Sequence, residues 1–162
     1  MTFGRNEHAI VHGGNIFKLG TRYSEPMRAT YADRNGSLTS MVIGCYGIGI
    51  TRTLACVIED NHDEKGIVFP ESVAPYRYHL VQIGTDAEIS ELAERLYTQL
   101  GAERVLYDDR DVTPRVKFSD ADLLGMPHRI TVSRRALAAG GVELTCRRTG
   151  VSKIVAPDAV DR

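Results

Sequence analysis

Residues 44–52 read GCYGIGITR and hold three glycines within six positions. Gly44, Gly47 and Gly49 stand at the end of a predicted strand, where glycine lets a ligand lie directly against the backbone. A predicted helix follows, and the N-terminus of a helix favours anionic groups. The string has neither the Gly-Lys-Ser/Thr ending of a Walker loop nor the GxGxxG spacing of a dinucleotide turn. Neither of those two nucleotide-binding folds is therefore indicated.

Arg52 places a guanidinium on a segment that is otherwise apolar. The apolar residues recur at helical spacing, which predicts a mostly buried helix from residue 50 to about residue 60. They are Ile50, Leu54, Val57 and Ile58. Burying a guanidinium costs several kcal/mol unless an anion meets it. In one interpretation Arg52 binds an anionic ligand. In the other it pairs with Glu59 or another carboxylate, and the glycines only allow close packing of the helix on the sheet.

The sequence on the N-terminal side of this helix predicts an antiparallel sheet. NIFKLG (15–20) and SMVIGCYG (40–47) read as short strands. Between them, ADRNGS (32–37) reads as the turn of a hairpin, with Asn35 and Gly36 suited to positive φ. We therefore expect strands and one helix that form part of a larger antiparallel sheet.

The two prolines of FPESVAP (69–75) predict a linker, so we expect a first domain over residues 1–70 and a second over residues 71–162. The second alternates strands with helices, as right-handed βαβ units do. Its predicted elements are a strand at 78–84, a helix at 86–100, a strand at 103–109, a helix at 115–125, a strand at 127–133 and a hairpin-like pair around Arg148 to Gly150. The expected fold class is α/β, with a small mixed sheet that has helices on both faces.

Composition narrows the class of protein. With 43% apolar and 25% charged residues, the chain reads as a soluble globular protein. No apolar run approaches the roughly 20 residues that span a bilayer, and no leader follows the first residue, so we expect a cytoplasmic location. Cys45, Cys56 and Cys146 lack CxxC spacing and are expected to be reduced thiols. His8 and His12 have no further converging ligands, so no metal site is predicted.

A cluster suited to unpaired bases lies around the end of the strand predicted at 103–109. Its members are Asp108, Asp109, Arg110, Arg115, Lys117 and Phe118. Carboxylates and guanidinium groups hydrogen-bond base edges, and an aromatic ring stacks on bases that leave a loop. From spacing alone, a solvated charged turn whose aspartates cap the next helix is an equal alternative. His128 is interpreted as a strand residue satisfied by its neighbours.

The string GCYGIG followed by TR resembles motif 3 of class II aminoacyl-tRNA synthetases, in the form found in prolyl-tRNA synthetases. The similarity extends through the segments that flank it and continues to the C-terminal hairpin. These segments are NIFKLGTRYSE (15–25), EDNHDEKGIVFPESVAP (59–75), LYDDRD (106–111) and VKFSDADLLGMPHRI (116–130). Such colinearity is far more specific than any one motif.

This resemblance implies an ATP site and a proline site around motif 3. The implied ATP contacts are Gly47, Gly49, Thr51 and Arg52. The implied proline contacts are Cys45, Thr21 and Ser24, the last two on the adjoining strand. Arg52 is the implied catalytic residue, because a guanidinium fork on the γ-phosphate is chemistry that lysine does not reproduce. ATP would enter with Mg²⁺, as substrate of the complete enzyme.

The resemblance also implies an anticodon-binding domain, shared with threonyl, glycyl and histidyl enzymes. Asp108, Asp109 and Arg110 would then read anticodon bases of proline tRNA, with Lys117 on a phosphate. Family members are homodimers, which makes a second copy a further implied partner.

Two departures from the family pattern bear on activity. No segment before residue 15 has room for motif 1 or motif 2, and the editing domain is also missing. We therefore expect the chain to be catalytically incomplete by itself. As the product of a split gene, it would need a partner chain that carries motifs 1 and 2. His12 and Gly13 stand where the family commonly shows Glu-Val, so a polar contact to ATP there is in question. The alternatives are a free-standing tRNA-binding accessory protein without ligase activity and a regulatory protein that senses a nucleotide or proline.

Overall fold

A computed structural model describes residues 13–161, and the chain divides into two compact units at Cys56 and Val57. The elements of the first unit are β1 (Gly14–Gly20), β2 (Thr30–Ala32), β3 (Leu38–Ser40), β4 (Ile43–Ile48) and the start of α1 (Ile50–Asp60). β1 pairs with β4 in an antiparallel ladder, and β2 pairs with β3. The predicted strands that correspond to β1 and β4 and the predicted helix α1 are therefore confirmed, whereas β2 and the separate strand β3 were not predicted.

The hairpin between β2 and β3 is closed by Asp33. Its Oδ1 accepts hydrogen bonds from the backbone N–H groups of Asn35 at 2.8 Å and Ser37 at 2.9 Å. Gly36 has a φ of 78°, as predicted, whereas Asn35 does not enter the positive-φ region. The aspartate side chain sets this turn, so a single left-handed residue is enough to complete it.

The predicted burial of α1 is wrong. None of its residues is buried, and Ile50 is 73% exposed. A helix buries its apolar face only against a surface of comparable size, and among residues 13–56 each sheet has two strands. The helical spacing of the apolar residues predicted the helix correctly, but it does not indicate whether another surface covers the apolar face.

The second unit is built on a five-stranded mixed sheet. Its strands are β7 (Tyr78–Ile83), β8 (Val105–Asp108), β9 (His128–Ser133), β10 (Val142–Cys146) and β11 (Ser152–Val155), preceded by a short hairpin of β5 (His62–Asp63) and β6 (Gly66–Ile67). The order across the sheet is β11-β10-β9-β7-β8. β7 runs parallel to both β8 and β9, whereas β10 is antiparallel to β9 and β11. The prediction of a small mixed sheet is confirmed.

Three helices accompany this sheet: α2 (Ala87–Leu100), α3 (Pro114–Leu124) and α4 (Arg134–Ala138). α2 packs on the apolar face, and its buried residues join Leu80 and Ile130 in one core. α3 lies on the opposite face, where the ring of Phe118 meets the Arg129 guanidinium of β9. The helices on both faces are as predicted. α4 was not predicted, and it is capped by Ser133, whose Oγ accepts a hydrogen bond from the N–H of Ala136 at 3.2 Å.

The β5–β6 hairpin packs against the end of α3. A Cβ built on Gly125 would lie 1.8 Å from the carbonyl oxygen of Ile67, so only glycine allows this approach. The N–H of Phe69 also donates to the Gly125 carbonyl at 3.0 Å. Residues 57–70 thus pack within the second compact unit, whereas the domain boundary was predicted at residues 70–71; that boundary stays a prediction. Across residues 13–161, no helix combines the length and the apolar character that crossing a bilayer requires.

Candidate functional site

The predicted base-reading cluster lies at the C-terminal end of β8, beside the parallel strand β7. Asp108 ends β8 and is only 5% exposed. Its two carboxylate oxygens accept from Arg110, from Nε at 2.9 Å and from Nη2 at 2.8 Å. The hydrogen bonds from Arg110 hold the pKa of the Asp108 carboxyl below its usual range, against the opposing effect of burial. Asp108 therefore serves as the anchor of Arg110 and is ionised at neutral pH.

Asp120 is a member of this cluster that sequence reasoning missed. It lies on α3, and its Oδ2 accepts from Arg110 Nη2 at 2.7 Å. The Arg110 guanidinium is thus held between carboxylates from two different elements, which raises its pKa. The sequence could have indicated Asp120, because it lies one helical turn after Lys117 in the predicted helix and such residues share a helix face.

Lys117 is placed differently from the prediction. The residue is 3% exposed, and Nζ donates to the carbonyl oxygens of Gln82 at 2.7 Å and Asp108 at 3.2 Å. Burial lowers the pKa of the ammonium, although the nearby Asp108 carboxylate opposes that shift. In this geometry Lys117 ties together the ends of β7 and β8 and does not present its charge to a phosphate in solvent. Its position inside α3 depends on the helix orientation, which sequence spacing did not show.

The other predicted members remain at the surface or near it. Asp109 and Arg115 are exposed, whereas Phe118 is half-buried. The Arg129 guanidinium carbon lies 4.8 Å from the centroid of the Phe118 ring, so one face of that ring already has a cationic partner. The structure therefore groups Asp108, Asp109 and Arg110 at the strand end, with Arg115 at the start of the adjacent helix.

A cavity of about 290 Å³ opens beside Arg110. Its lining residues are His79, Leu106, Tyr107, Asp108, Arg110, Asp120, Leu123 and Leu124. His79 is only 2% exposed, and its Nδ1 has no hydrogen-bond partner among residues 13–161. Burial lowers the pKa of this imidazole, so it is neutral at pH 7. Sequence reasoning also missed His79, because a single histidine within a strand carries no signal by itself.

The predicted nucleotide site lies on the β1–β4 ladder and the start of α1. Cys45 pairs with Phe17, and Gly47 pairs with Asn15. Because side chains alternate along a strand, Cys45 and Gly47 lie on the same face. A Cβ built on Gly47 would meet no described atom within 4 Å, so the space above it is open to a ligand.

Gly49 joins β4 to α1 through specific backbone contacts. Its N–H donates to the carbonyl of Gly13 at 2.8 Å, and its own carbonyl accepts from the Thr53 N–H at 2.8 Å and from the Thr53 hydroxyl at 3.0 Å. Thr51 and Arg52 follow in the first turn of α1, and both are exposed. The predicted ATP contacts are therefore adjacent to one another at one end of the ladder.

The two predicted proline contacts on the adjoining strand are not on a strand. β1 ends at Gly20, which has a φ of 59°, and Thr21 and Ser24 lie in the turns that follow. Ser24 is 0% exposed, and its hydroxyl donates to the carbonyl of Met41 at 2.5 Å. That hydroxyl holds the turn against the chain around residue 41, so it is not presented to a ligand in this structure. The left-handed Gly20 ends the strand where NIFKLG was predicted to end, so the placement of Thr21 and Ser24 on that strand, made with the resemblance, is wrong.

The remaining predictions concern metal ligands and histidines. Within residues 13–161, no group of three or more histidine, cysteine or carboxylate side chains converges as a metal site would require. His8 and His12 lie outside the described residues, and so does the contact questioned at His12. His128 lies on β9, and its Nε2 is 3.0 Å from Glu71 Oε1.

Comparison with known proteins gives one family match for each of the two regions that carry the predicted sites. A family described as "Anticodon binding domain" matches residues 73–160, which is more than half of the chain. A family described as "tRNA synthetase class II core domain (G, H, P, S and T)" matches residues 6–61. A solved prolyl-tRNA synthetase from Cryptosporidium parvum, complexed with L-proline and AMP, has a TM-score of 0.78 at 21% identity and covers 93% of this chain and 34% of that one. At that identity the likeness shows the fold.

Curated relatives add sequence similarity over nearly the whole chain. The proline–tRNA ligase of Bacillus velezensis is 53% identical over 151 residues, and the match covers 91% of this chain and 27% of the relative. The ligase of Syntrophus aciditrophicus is 50% identical over 156 residues, with 94% and 27% covered. The chain therefore spans about a quarter of the length of these relatives. From the two family matches and these identities, the chain belongs to the prolyl-tRNA synthetase family, and it carries the anticodon-binding domain together with part of the class II core.

Proposed function

We propose that this chain supplies the anticodon-reading surface and the motif 3 contact to ATP in a proline–tRNA ligase, which attaches proline to its tRNA at the expense of ATP. The observation that carries the proposal is the Arg110 cluster at the strand end. It lies within the segment that matches the anticodon-binding family, at the edge where open α/β sheets place their ligands. In this proposal the activity is that of the full-length, cytoplasmic and homodimeric ligase.

The proposed reading surface consists of Asp109 and Arg110, with Asp108 as the anchor and Arg115 beside them. A carboxylate accepts hydrogen bonds from base amino groups, and a guanidinium donates to base oxygens and ring nitrogens. Bases of a single-stranded loop expose these edges, because they are not paired. The 290 Å³ cavity next to Arg110 gives an unpaired base an apolar surface on Leu106 and Leu124.

The proposed ATP contact rests on Arg52 at the start of α1. The open face above Gly47 leaves room for the nucleotide, and the N-terminus of α1 adds a favourable field for phosphate. The proline carboxylate oxygen would attack the α-phosphorus, and pyrophosphate would leave. Arg52 would stabilise the charge on the leaving phosphates. Proline would contact Cys45 on the face that it shares with Gly47.

Mg²⁺ is part of the nucleotide substrate in this proposal. The described residues provide no converging set of metal ligands, so we derive no step through the ion. We also expect no prolyl-adenylate from this chain by itself, because motifs 1 and 2 are not in its sequence. In the proposed ligase, motifs 1 and 2 come either from the rest of the full-length protein or from a separate partner chain that carries them.

A second candidate is a tRNA-binding accessory protein without ligase activity. The buried apolar core lies entirely in the unit that carries the reading surface, so that unit has the packing to bind RNA by itself. Supplying a fragment that carries motifs 1 and 2 distinguishes the candidates. Proline-dependent exchange of pyrophosphate into ATP is expected for the ligase, and no exchange would favour the accessory protein.

The anticodon assignment is tested by Arg110→Ala. We expect the binding free energy for proline tRNA to weaken by about 1 to 3 kcal/mol, because a base contact is lost. Gel shift with proline tRNA and with a tRNA whose anticodon bases are replaced measures the effect. Arg134→Ala is the matched control, since Arg134 also pairs bidentately with an aspartate, Asp86, but lies after β9. Equal losses for both variants would contradict the assignment.

A further inference from the structure

The orientation of Arg110 is fixed by carboxylates from two elements. Asp108 of β8 engages Nε and Nη2, and Asp120 of α3 engages Nη2 a second time. Nη1 is then the one nitrogen of this guanidinium with no hydrogen bond among the described residues. Arg110 is nevertheless 51% exposed, so without the second carboxylate its long side chain would retain much of its rotational freedom.

The charges of the four residues that the ion pairs around Arg110 connect are balanced. Asp108 and Asp120 contribute two negative charges, and Arg110 and Lys117 contribute two positive charges. Such a cluster has little general attraction for phosphates, so its interaction with RNA depends on directed hydrogen bonds. The Asp120 side chain is 37% exposed and repels a polyanion. A group that lowers affinity for every RNA but fixes one donor favours specificity over affinity.

We propose that Asp120 is a positioning residue for base recognition: from α3 it holds the Arg110 guanidinium against Asp108, so that Nη1 points to the edge of an anticodon base. The inference rests on the proposed anticodon function and adds a residue to it. Asp120 itself does not contact the base. It acts through Arg110 by removing alternative orientations that would accept a wrong base.

Asp120→Asn tests this role because it keeps the shape of the side chain and removes its charge. Affinity for proline tRNA should fall about fivefold, because Arg110 loses one of its two anchors. Affinity for the tRNA with replaced anticodon bases should stay the same or rise about twofold, because a charge that repels phosphates is gone. Fluorescence anisotropy with the 162-residue chain measures both affinities.

Asp122→Asn is the matched control on the same helix. Asp122 pairs with Arg129 at 3.1 Å and has a similar exposure, but it does not contact Arg110. This variant should change the affinity for both RNAs by the same factor. In an Arg110→Ala background, Asp120→Asn should cause no further loss of discrimination, because the residue acts only through Arg110.

Asp120→Glu keeps the charge but displaces the carboxylate. Affinity for proline tRNA should fall, and affinity for the altered tRNA should stay unchanged. If circular dichroism shows that Asp120→Asn does not fold, Asp120→Glu takes its place as the test. The positioning role is overturned if Asp120→Asn changes both affinities by the same factor. It is also overturned if Asp120→Asn reduces discrimination between the two tRNAs in the Arg110→Ala background. In either case the anticodon function stands. If the unmodified chain binds both tRNAs equally, the anticodon function fails, and the inference fails with it.

Discussion

The two compact units share strand patterns but differ in burial. In the second unit, Leu80 of the interior strand β7 is 0% exposed, and it packs in a core that α2 covers. In the first unit, Ile16 of β1 is 82% exposed, although it too is an apolar residue of a strand. The difference teaches that apolar residues can mark a strand and still leave its apolar face uncovered. The width of the sheet and a covering helix decide whether that face is buried.

The largest expected effect tests this difference directly. Leu80→Ala should lower the free energy of unfolding by about 4 kcal/mol, because it removes a fully buried side chain and leaves a cavity. Ile16→Ala should lower it by less than about 0.5 kcal/mol, because Ile16 is already in contact with solvent. Urea unfolding followed by circular dichroism measures both. A comparable loss for Ile16→Ala would show that the β1–β4 ladder buries this side chain in solution.

The second prediction sharpens the boundary between the regions. Gly125→Ala should cost about 3 kcal/mol, because the new methyl group meets the carbonyl of Ile67 and alanine is strained at a φ of 65°. Gly150→Ala should cost about 1 kcal/mol, because Gly150 has a φ of 68° but no atom within 4 Å of its built Cβ. The difference in unfolding free energy, measured in urea, reports the packing of the β5–β6 hairpin on α3. Equal losses of unfolding free energy for the two variants would show that residues 62–67 do not pack on α3 in solution.

The smallest effect concerns the end of the described chain. The Asp161 carboxylate accepts from Arg104 at 2.6 and 2.9 Å and from the Tyr78 hydroxyl at 2.9 Å, and these contacts lower its pKa to about 2. Asp161→Asn should lower the free energy of unfolding by about 1 kcal/mol at pH 7, a modest value because the pair is partly exposed.

The pH dependence of this effect has a definite sign. An aspartate whose pKa is depressed in the folded state contributes its full stability above the unfolded value near 4, and that contribution is lost as the pH falls toward 2. Thermal unfolding from pH 7 to pH 2 should therefore show the wild type approaching Asp161→Asn in acid. Asp158→Asn, in the adjacent 3-10 helix Pro157–Ala159, is the control and should follow the wild type. A difference between wild type and Asp161→Asn that persists at pH 2 would refute the ion pair as its source.

The order of strands and helices in the second unit was available from the sequence, and so was part of the candidate site. Apolar alternation and helical spacing predicted β7, α2, β8, α3 and β9 to within two residues at each end. Asp108, Asp109 and Arg110 were predicted as ligand-binding residues because polar residues at the end of a parallel strand mark a ligand edge, and the structure places them at that edge; their role stays a prediction. Asp120 and His79 were not found, since they join the cluster only when α3 packs across β7 and β8.

The sequence by itself determined which segments form strands and helices, and its resemblance to prolyl-tRNA synthetases indicated the family. Both depend on local spacing or on residue identity along the chain. Tertiary structure alone decided that Lys117 and Ser24 direct their polar groups into the protein, and that no residue of α1 is fully buried. Burial and hydrogen-bond partners depend on which surfaces meet in space, and residues far apart in the chain supply those surfaces.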